Sequence, residues 1–226
     1  MTNGLNRNQI AQRAAQELKD GYAVNLGIGI PTLVANYVSP GIEILIHAEN
    51  GILGCGPLAE EGEEDADLIN AGAQYITLLP GACCFDSATS FAMIRGGHLD
   101  VTILGGFQVS RRGDLANWMV PGRGYGNIGG AMDLANGAKR VIVTMDHCAR
   151  NGEAKIVETC TYPLTGLACV DTVITDLAVI AVTPEGLVLR EVAPGITPEM
   201  IQERTGAPLQ VADEVREIRL SEGAGR

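Results

Sequence analysis

Glu49 is the residue of this sequence whose surroundings are best suited to chemistry. It follows a short apolar run at 42–46, which predicts a buried strand. Four of the eight residues after Glu49 are Gly or Pro, which predicts tight turns where backbone N–H groups can approach a ligand. Because ligands of open α/β sheets bind outside the carboxyl ends of the strands, we expect Glu49 to present its carboxylate there. The alternative is an exposed loop acid beside ordinary turns.

Two neighbours of Glu49 offer other chemistry. His47 precedes it by two residues, so both side chains share one face of a strand and contact is permitted. Cys55 lies in the Gly-rich stretch, where a reactive thiol is an alternative nucleophile. The sequence has six cysteines and no C-x-x-C pair, so we expect no disulfide framework. Most of the cysteines are expected to be small buried hydrophobes.

Metal and dinucleotide sites have weaker support. The three histidines are far apart, without the i, i+4 pairing that favours zinc. The acid-rich run at 60–67 has no histidine or ordered ligand spacing, so we interpret it as a solvated surface loop. The turn at 27–31 has the pattern Gly-x-Gly-x-Pro and lacks the third glycine of a dinucleotide fingerprint. We therefore expect neither a metal nor a nicotinamide cofactor.

Composition limits the class of protein. With 46% hydrophobic and only 4% aromatic residues, the core must be mostly aliphatic. The net charge of −11 argues against a nucleic-acid partner. No apolar run approaches the roughly 20 residues of a membrane span, and the first residues lack a signal-peptide pattern. We therefore expect a cytoplasmic protein that does not enter the membrane.

The order of the predicted elements indicates the fold. The predicted helices cover 8–19, 87–95, 131–136 and, capped by Thr197, 198–204. The predicted strands cover 22–26, 42–46, 75–79, 99–104, 140–145, 171–175, 177–182 and 187–192. Their alternation predicts one α/β domain, an open and mainly parallel sheet with flanking helices. The strand-rich last third predicts an antiparallel edge. The long Gly-rich connection at 105–130 is typical of a functional segment.

Several motifs in this order carry a resemblance to a known family. The stretch Glu49-Asn50-Gly51 and the following Gly-x-Gly-Pro are joined by motifs at 24–32, 67–72, 90–98, 113–118, 129–134 and 163–166. Together they resemble the B subunit, or beta subunit, of the 3-oxoacid CoA-transferases. The resemblance covers about residues 7–212 of a single domain spanning 1–226, which leaves 213–226 as a tail. It implies the open α/β fold that both CoA-transferase subunits share.

The resemblance also implies a mechanism. Glu49 matches the catalytic glutamate, whose carboxylate attacks an acyl-CoA and forms an acyl-glutamyl anhydride and then a glutamyl-CoA thioester. Gly130 matches a donor that stabilises the oxyanions through its backbone N–H, and its place ahead of a predicted helix suits a negative charge. Asn25 matches an active-site asparagine. The remaining expected substrate-binding and CoA-binding residues are Asn50, Gly51, Gly129 and Ala131.

The same resemblance implies substrates and a partner. The CoA donor is expected to be succinyl-CoA or acetyl-CoA, and the acceptor acetoacetate or 3-oxoadipate. Coenzyme A is then a substrate, and no cofactor or metal is expected. The expected partner is the A subunit of the CoA-transferase, in a hetero-oligomer with two copies of each subunit. Two alternatives are an acyl-CoA hydrolase that uses the same glutamate and a non-catalytic binding subunit.

Three departures from the family pattern bear on specificity. Ala48 stands where the family often has serine, which removes a hydroxyl beside the nucleophile. Ala73 stands where many relatives carry lysine, a cation that could bind a substrate carboxylate or part of CoA. The segment 122–128 keeps the family's length with different residues. Because Glu49 and Gly130 are unaltered, the expected reaction class remains.

Overall fold

The described part of the chain contains five α-helices and thirteen strands. A computed structural model describes residues 4–70, 72–122, 124 and 126–220. The helices are α1 (Arg7–Ala15), α2 (Ile30–Leu33), α3 (Ser87–Arg95), α4 (Ala131–Gly137) and α5 (Pro198–Arg204), with a 3-10 turn at Val34–Tyr37. The strands are β1 (Ala23–Leu26), β2 (Leu45–Ala48), β3 (Ile52–Leu58), β4 (Ile76–Cys84), β5 (Val101–Gly105), β6 (Gln108–Ser110), β7 (Leu115–Ala116), β8 (Val141–Met145), β9 (Ile156–Val157), β10 (Thr172–Thr175), β11 (Ala178–Thr183), β12 (Gly186–Val192) and β13 (Leu209–Glu217).

Ten of these strands form one sheet, in the order β13-β12-β11-β10-β8-β5-β1-β2-β3-β4. Five of its nine pairings are parallel and four are antiparallel. The predicted open, mainly parallel α/β sheet is therefore confirmed. The direction of strand addition reverses between β1 and β5, because β2 follows on one side of β1 while β5, β8 and β10 lie on the other. Such a switch point is where α/β sheets bind ligands.

The interior is aliphatic, as the composition predicts. The central strands β5 and β8 are apolar and rich in β-branched residues, a composition typical of parallel strands covered on both faces. Ile103 and Ile142 are fully buried there, and Ile10 of α1 and Ile94 of α3 pack into the same core. This rigid core fixes the strand ends from which the loops of the cavity emerge.

Local signals place two of the helices where the sequence predicts them. The side chain of Asp86 accepts a hydrogen bond from the Thr89 N–H at 2.7 Å and starts α3. Thr197 caps α5 through the Met200 N–H, and Pro198 occupies its first position. Both helices end at Arg95 and Arg204, as predicted.

The strand before Glu49 differs from its prediction. The run at 42–46 is not a buried strand, because β2 begins at Leu45, which is 47% exposed. The side chains that β2 buries are those of His47 and Ala48. The Gly-rich stretch after Glu49 forms one turn, which ends at Gly51, and then continues as β3, which pairs antiparallel with β2 and β4. The tight turns predicted for the rest of the stretch are therefore replaced by a strand.

Three further segments add detail to the predicted outline. The connection at 105–130 contains β6 and β7, which form a small sheet with β9. The last strand, β13, runs across the predicted start of the tail at residue 213. Arg123, Tyr125 and residues 221–226 lie outside the described residues. Within the described part of the chain, no helix combines the length and the apolar character needed to cross a membrane.

Candidate active site

Glu49 lies at the end of β2, where three of the predicted site residues meet. Its neighbour Asn25 is on β1 and pairs in register with His47. The Asn25 Nδ2 donates to Glu49 Oε2 at 3.3 Å and to the His47 carbonyl oxygen at 3.1 Å. From the opposite side Gly130 approaches so closely that a Cβ there would lie 3.2 Å from Glu49 Cγ. The structure therefore brings together the predicted nucleophile, amide and glycine.

The buried ring of His47 is neutral and contacts Asn25. It is 1% exposed, and burial lowers its pKa, an effect that the nearby Glu49 carboxylate partly opposes. Its Nε2 lies 3.0 Å from Ser90 Oγ, and its Nδ1 lies 3.4 Å from Asn25 Nδ2. Since the amide can only donate to Nδ1, the tautomer protonated at Nε2 satisfies both contacts. His47 thus positions Asn25 and contributes no positive charge beside Glu49.

A cavity of about 630 Å³ opens at this point. It lies at the carboxyl ends of β1, β5 and β8 and over the end of β2, so it occupies the switch point of the sheet. Its wall near Glu49 consists of Asn25, the 27–30 turn and the segment 127–131. The predicted binding residues Gly129 and Ala131 belong to that segment. A cavity of this size can hold an acyl group together with part of a larger ligand.

The charges on the cavity wall differ from those of the chain as a whole. Although the chain carries a net charge of −11, the cations Arg7, Arg150 and Lys155 line the cavity beside the acids Glu49 and Asp146. Anionic ligands therefore meet a local excess of positive charge. This balance suits CoA esters and carboxylic acids, which are anions at neutral pH.

Two predicted binding residues lie beside the cavity and do not line it. The Asn50 side chain is exposed and donates to the Ile69 carbonyl oxygen at 2.8 Å, which ties the turn to the 69–70 segment. Gly51 has a φ of +122°, and a Cβ there would collide with the Phe85 carbonyl oxygen. Their contacts in this structure shape the turn that holds Glu49, and a role in CoA binding stays a prediction. Ala73 lies on an exposed turn, likewise outside the cavity wall.

The alternative nucleophile and the metal sites gain no support from the geometry. Cys55 is 5% exposed, and burial raises the pKa of its thiol to about 11, so the unreactive protonated form dominates at neutral pH. The acid run at 60–67 is exposed, as predicted. Within the described ranges, no cluster of three or more His, Cys, Asp or Glu side chains could hold a metal ion.

The structure adds residues that sequence patterns do not reveal. Ser90 and Phe91, on α3, contact His47 and the Gly130 segment. Thr144 and Lys155 line the far side of the cavity. Ser90 and Phe91 belong to the 90–98 motif, which is a signal that could have pointed to them. Thr144 and Lys155 carry no such signal, because only the tertiary structure brings them to the cavity wall.

Comparisons with known proteins identify the family of the chain. A family model described as Coenzyme A transferase matches residues 7–204. The chain is 54% identical over 209 residues to the B subunit of the probable succinyl-CoA:3-ketoacid coenzyme A transferase of Bacillus subtilis, a match that covers 92% of this chain and 97% of the relative. It is also 54% identical over 210 residues to the B subunit of the 3-oxoadipate CoA-transferase of Pseudomonas putida, covering 92% and 98%.

A solved structure shares the fold. The acyl-CoA transferase YdiF of Escherichia coli O157:H7, as the apoenzyme, superposes with a TM-score of 0.77 at 21% identity. The match covers 97% of this chain and 45% of the YdiF chain, so the chain spans less than half of that longer protein. At this identity the likeness shows that the α/β architecture is shared.

Proposed function

The chain belongs to the coenzyme A transferase family, and we propose that it is the B subunit of a 3-oxoacid CoA-transferase. The proposed donor is succinyl-CoA or acetyl-CoA, and the proposed acceptor is acetoacetate or 3-oxoadipate. The observation that carries the proposal is the meeting of Glu49, Asn25 and Gly130 in the cavity at the switch point. The likeness to the Bacillus and Pseudomonas proteins supports the choice of substrates.

In the proposed mechanism Glu49 is the nucleophile. A carboxylate oxygen of Glu49 attacks the thioester carbonyl carbon, and the carbon–sulfur bond breaks. CoA departs as its thiolate, and the acyl group remains on Glu49 as an acyl-glutamyl anhydride. The thiolate then attacks the glutamyl carbonyl carbon and displaces the donor acid, which leaves a glutamyl-CoA thioester. The acceptor carboxylate attacks this thioester, expels CoA thiolate and forms a second anhydride with Glu49. The thiolate then attacks the acceptor's carbonyl carbon in that anhydride, which releases the acceptor as its CoA ester and frees the Glu49 carboxylate. Coenzyme A is a substrate throughout, so the proposed chemistry needs no cofactor.

Neighbouring residues orient the Glu49 carboxylate and stabilise the oxyanion that develops during the reaction. Asn25 holds one carboxylate oxygen of Glu49 through its amide, with that amide fixed in turn by the His47 carbonyl. The backbone N–H of Gly130 is the proposed donor to the oxyanion, because Gly130 packs directly against the Glu49 side chain. Asn25 and Gly130 are both buried, so their contacts act where water is partly excluded and electrostatic interactions are stronger.

The proposed partner is the A subunit of the same CoA-transferase. Both relatives are named as the B subunit of their enzyme, and the structure contains one copy of the fold within its described residues. We expect two copies of each subunit in the complex, and no CoA transfer by this chain alone. A cytoplasmic location is proposed because all six cysteines are free, which is typical of a reducing compartment.

Product analysis tests the proposal against its rivals. The complex of this chain with its A subunit is incubated with succinyl-CoA, with and without acetoacetate, and CoA, succinate and acetoacetyl-CoA are quantified. A transferase forms acetoacetyl-CoA in proportion to the succinate released and leaves CoA bound to protein when the acceptor is absent. Release of free CoA and succinate at the same rate in both mixtures would instead indicate a hydrolase. A complex without turnover would point to a binding subunit.

A further inference from the structure

Ser90 and His47 form a buried row of contacts that leads to Glu49. Ser90 lies on α3, and both residues are at most 1% exposed. Ser90 Oγ lies 3.0 Å from His47 Nε2, and His47 Nδ1 lies 3.4 Å from the amide nitrogen of Asn25. That nitrogen donates to Glu49 Oε2 at 3.3 Å. Because Ser90 and His47 do not line the cavity, their effect on Glu49 passes through Asn25.

The orientation of the Asn25 amide decides what Glu49 meets. The amide nitrogen faces three acceptors, which are Glu49 Oε2, the His47 carbonyl oxygen at 3.1 Å and His47 Nδ1. The buried amide oxygen has no hydrogen-bond partner in the described part of the chain, so the contacts of the nitrogen hold the amide. A rotation that exchanged the two would place the amide oxygen against a carbonyl oxygen and a carboxylate oxygen. Glu49 would then lose its donor and face a repulsive contact.

A proton on His47 Nδ1 would reverse this preference. An N–H at Nδ1 would point at the N–H groups of Asn25, and it would favour a turned amide that presents its oxygen. The neutral ring with its proton on Nε2 avoids this conflict, and Ser90 Oγ accepts the hydrogen bond from Nε2. The ring also stacks on Phe85, with 6.2 Å between the ring centroids. The protonation state of His47 is therefore coupled to the hydrogen bond that Glu49 receives.

We propose that His47 is a proton-sensitive positioning residue: its neutral ring keeps the Asn25 amide nitrogen on Glu49, and its protonation turns the amide round. Ser90 anchors the ring in this arrangement. The inference rests on the proposed function, and it adds a control of the nucleophile by a group that the transfer chemistry does not consume.

The surroundings of His47 set the direction of its pH response. Its neighbours Leu53 on β3 and Phe85 are uncharged, and Glu49 is the charged group that acts on the ring. Burial lowers the pKa of His47 from 6.5, and the Glu49 carboxylate partly opposes that shift. The ring is therefore neutral above this lowered pKa. Transfer should be complete there and should fall as the pH drops through it.

The pH dependence of kcat/KM in the complex with the A subunit tests the role. His47→Gln removes the titrating ring and supplies an amide that can accept from Asn25 and donate to Ser90. The acid limb of this variant should involve one proton fewer than that of the wild type, because Glu49 still titrates. His98→Gln changes an exposed histidine outside the cavity, so it should keep the wild-type profile. The same acid limb in His47→Gln and the wild type would overturn the proposal.

A second variant removes the anchor and leaves the ring. Ser90→Ala should lower kcat by about 2- to 10-fold, the range for one neutral hydrogen bond. KM should stay nearly unchanged, because the cavity wall is intact and only the orientation of Glu49 suffers. Ser87→Ala, at an exposed serine of the same helix, should change neither constant. Wild-type kcat in folded Ser90→Ala would show that the ring needs no anchor and would contradict the proposal.

Nitrogen NMR of the complex tests the same coupling without turnover, with isotope label in this chain alone. Nδ1 of His47 should be unprotonated above neutral pH. It should gain a proton over the pH range in which the side-chain amide signals of Asn25 shift. A protonated Nδ1 above neutral pH, or amide signals that do not follow it, would refute the coupling. Absent transfer with this coupling intact would reject the proposed function alone, whereas transfer with an unchanged acid limb in His47→Gln would reject the positioning role alone.

Discussion

The substitution Gly130→Ala tests whether the close contact between Gly130 and Glu49 sets the catalytic geometry. Gly130 has a φ of −86° and a ψ of 3°, a conformation with negative φ that alanine can also adopt. The added Cβ would lie 3.2 Å from Glu49 Cγ and 3.2 Å from Phe91 Cζ, so each neighbour must move by a few tenths of an ångström. The backbone N–H is kept, and the perturbation is therefore steric.

Two effects of different size follow from these contacts. Overpacking of this kind costs about 1–3 kcal/mol of folding stability, which corresponds to a fall in Tm of roughly 2–4 °C per kcal/mol for a chain of this length. A misplacement of about 1 Å costs on the order of 100-fold in rate, so a shift of a few tenths of an ångström at Glu49 should lower kcat by roughly tenfold. The assays are CoA transfer by the complex and thermal unfolding of the same sample.

A second substitution separates the two contacts. Phe91→Leu, added to Gly130→Ala, removes the Phe91 clash and leaves the Glu49 clash in place. The double variant should regain most of the lost Tm and keep the low kcat. If kcat returned together with Tm, or if Gly130→Ala had wild-type activity while folded, the contact with Glu49 would not control catalysis.

Two further predictions concern groups that the chemistry does not use. Iodoacetamide at neutral pH should modify exposed Cys83 and Cys84 and spare Cys55, whose thiol has a pKa raised to about 11; peptide mass spectrometry checks this, and prior loss of Cys55 would contradict it. His147 is fully buried between Thr175 and Thr205, and burial lowers its pKa to about 4. Since the unfolded chain binds the proton first, stability should fall by about 3 kcal/mol as the pH drops from about 6.5 to about 4. Denaturant unfolding at several pH values should show a flatter profile for His147→Gln, and identical profiles would contradict the assignment.

The sequence predicts the meeting of Glu49, Asn25 and Gly130 better than it predicts the backbone around Glu49. Glu49, Asn25 and Gly130 are recognisable because each lies in a motif, and parallel strands bring the ends of those motifs together. The glycines after Glu49 predict turns, and this prediction is wrong for two of them. Gly54 and Gly56 lie in β3, where a Cβ would press against Ala82 and Thr77 of β4. Close strand packing, a tertiary cause, selects glycine there.

The far side of the cavity was beyond prediction for a similar reason. Thr144 lies in a buried apolar strand and Lys155 in a loop, so neither has a local pattern that indicates a ligand. The order β8-β5-β1-β2 brings Thr144 to the cavity, whereas Lys155 reaches its wall from the loop before β9, outside that sheet. The strand predicted at 42–46 is wrong because the apolar pattern of this run does not show which of its ends enters the sheet.

The proposed mechanism requires the Glu49 carboxyl to carry CoA as a thioester. Incubating the complex with acyl-CoA and no acceptor, followed by borohydride reduction, should convert that carboxyl alone to an alcohol, because borohydride reduces a thioester and spares a free carboxylate. Peptide mass spectrometry should find the change on Glu49 in the wild type and on no residue of Glu49→Gln, with Tm unchanged. Reduction at another carboxyl, or CoA retained on Cys55, would contradict the proposed mechanism.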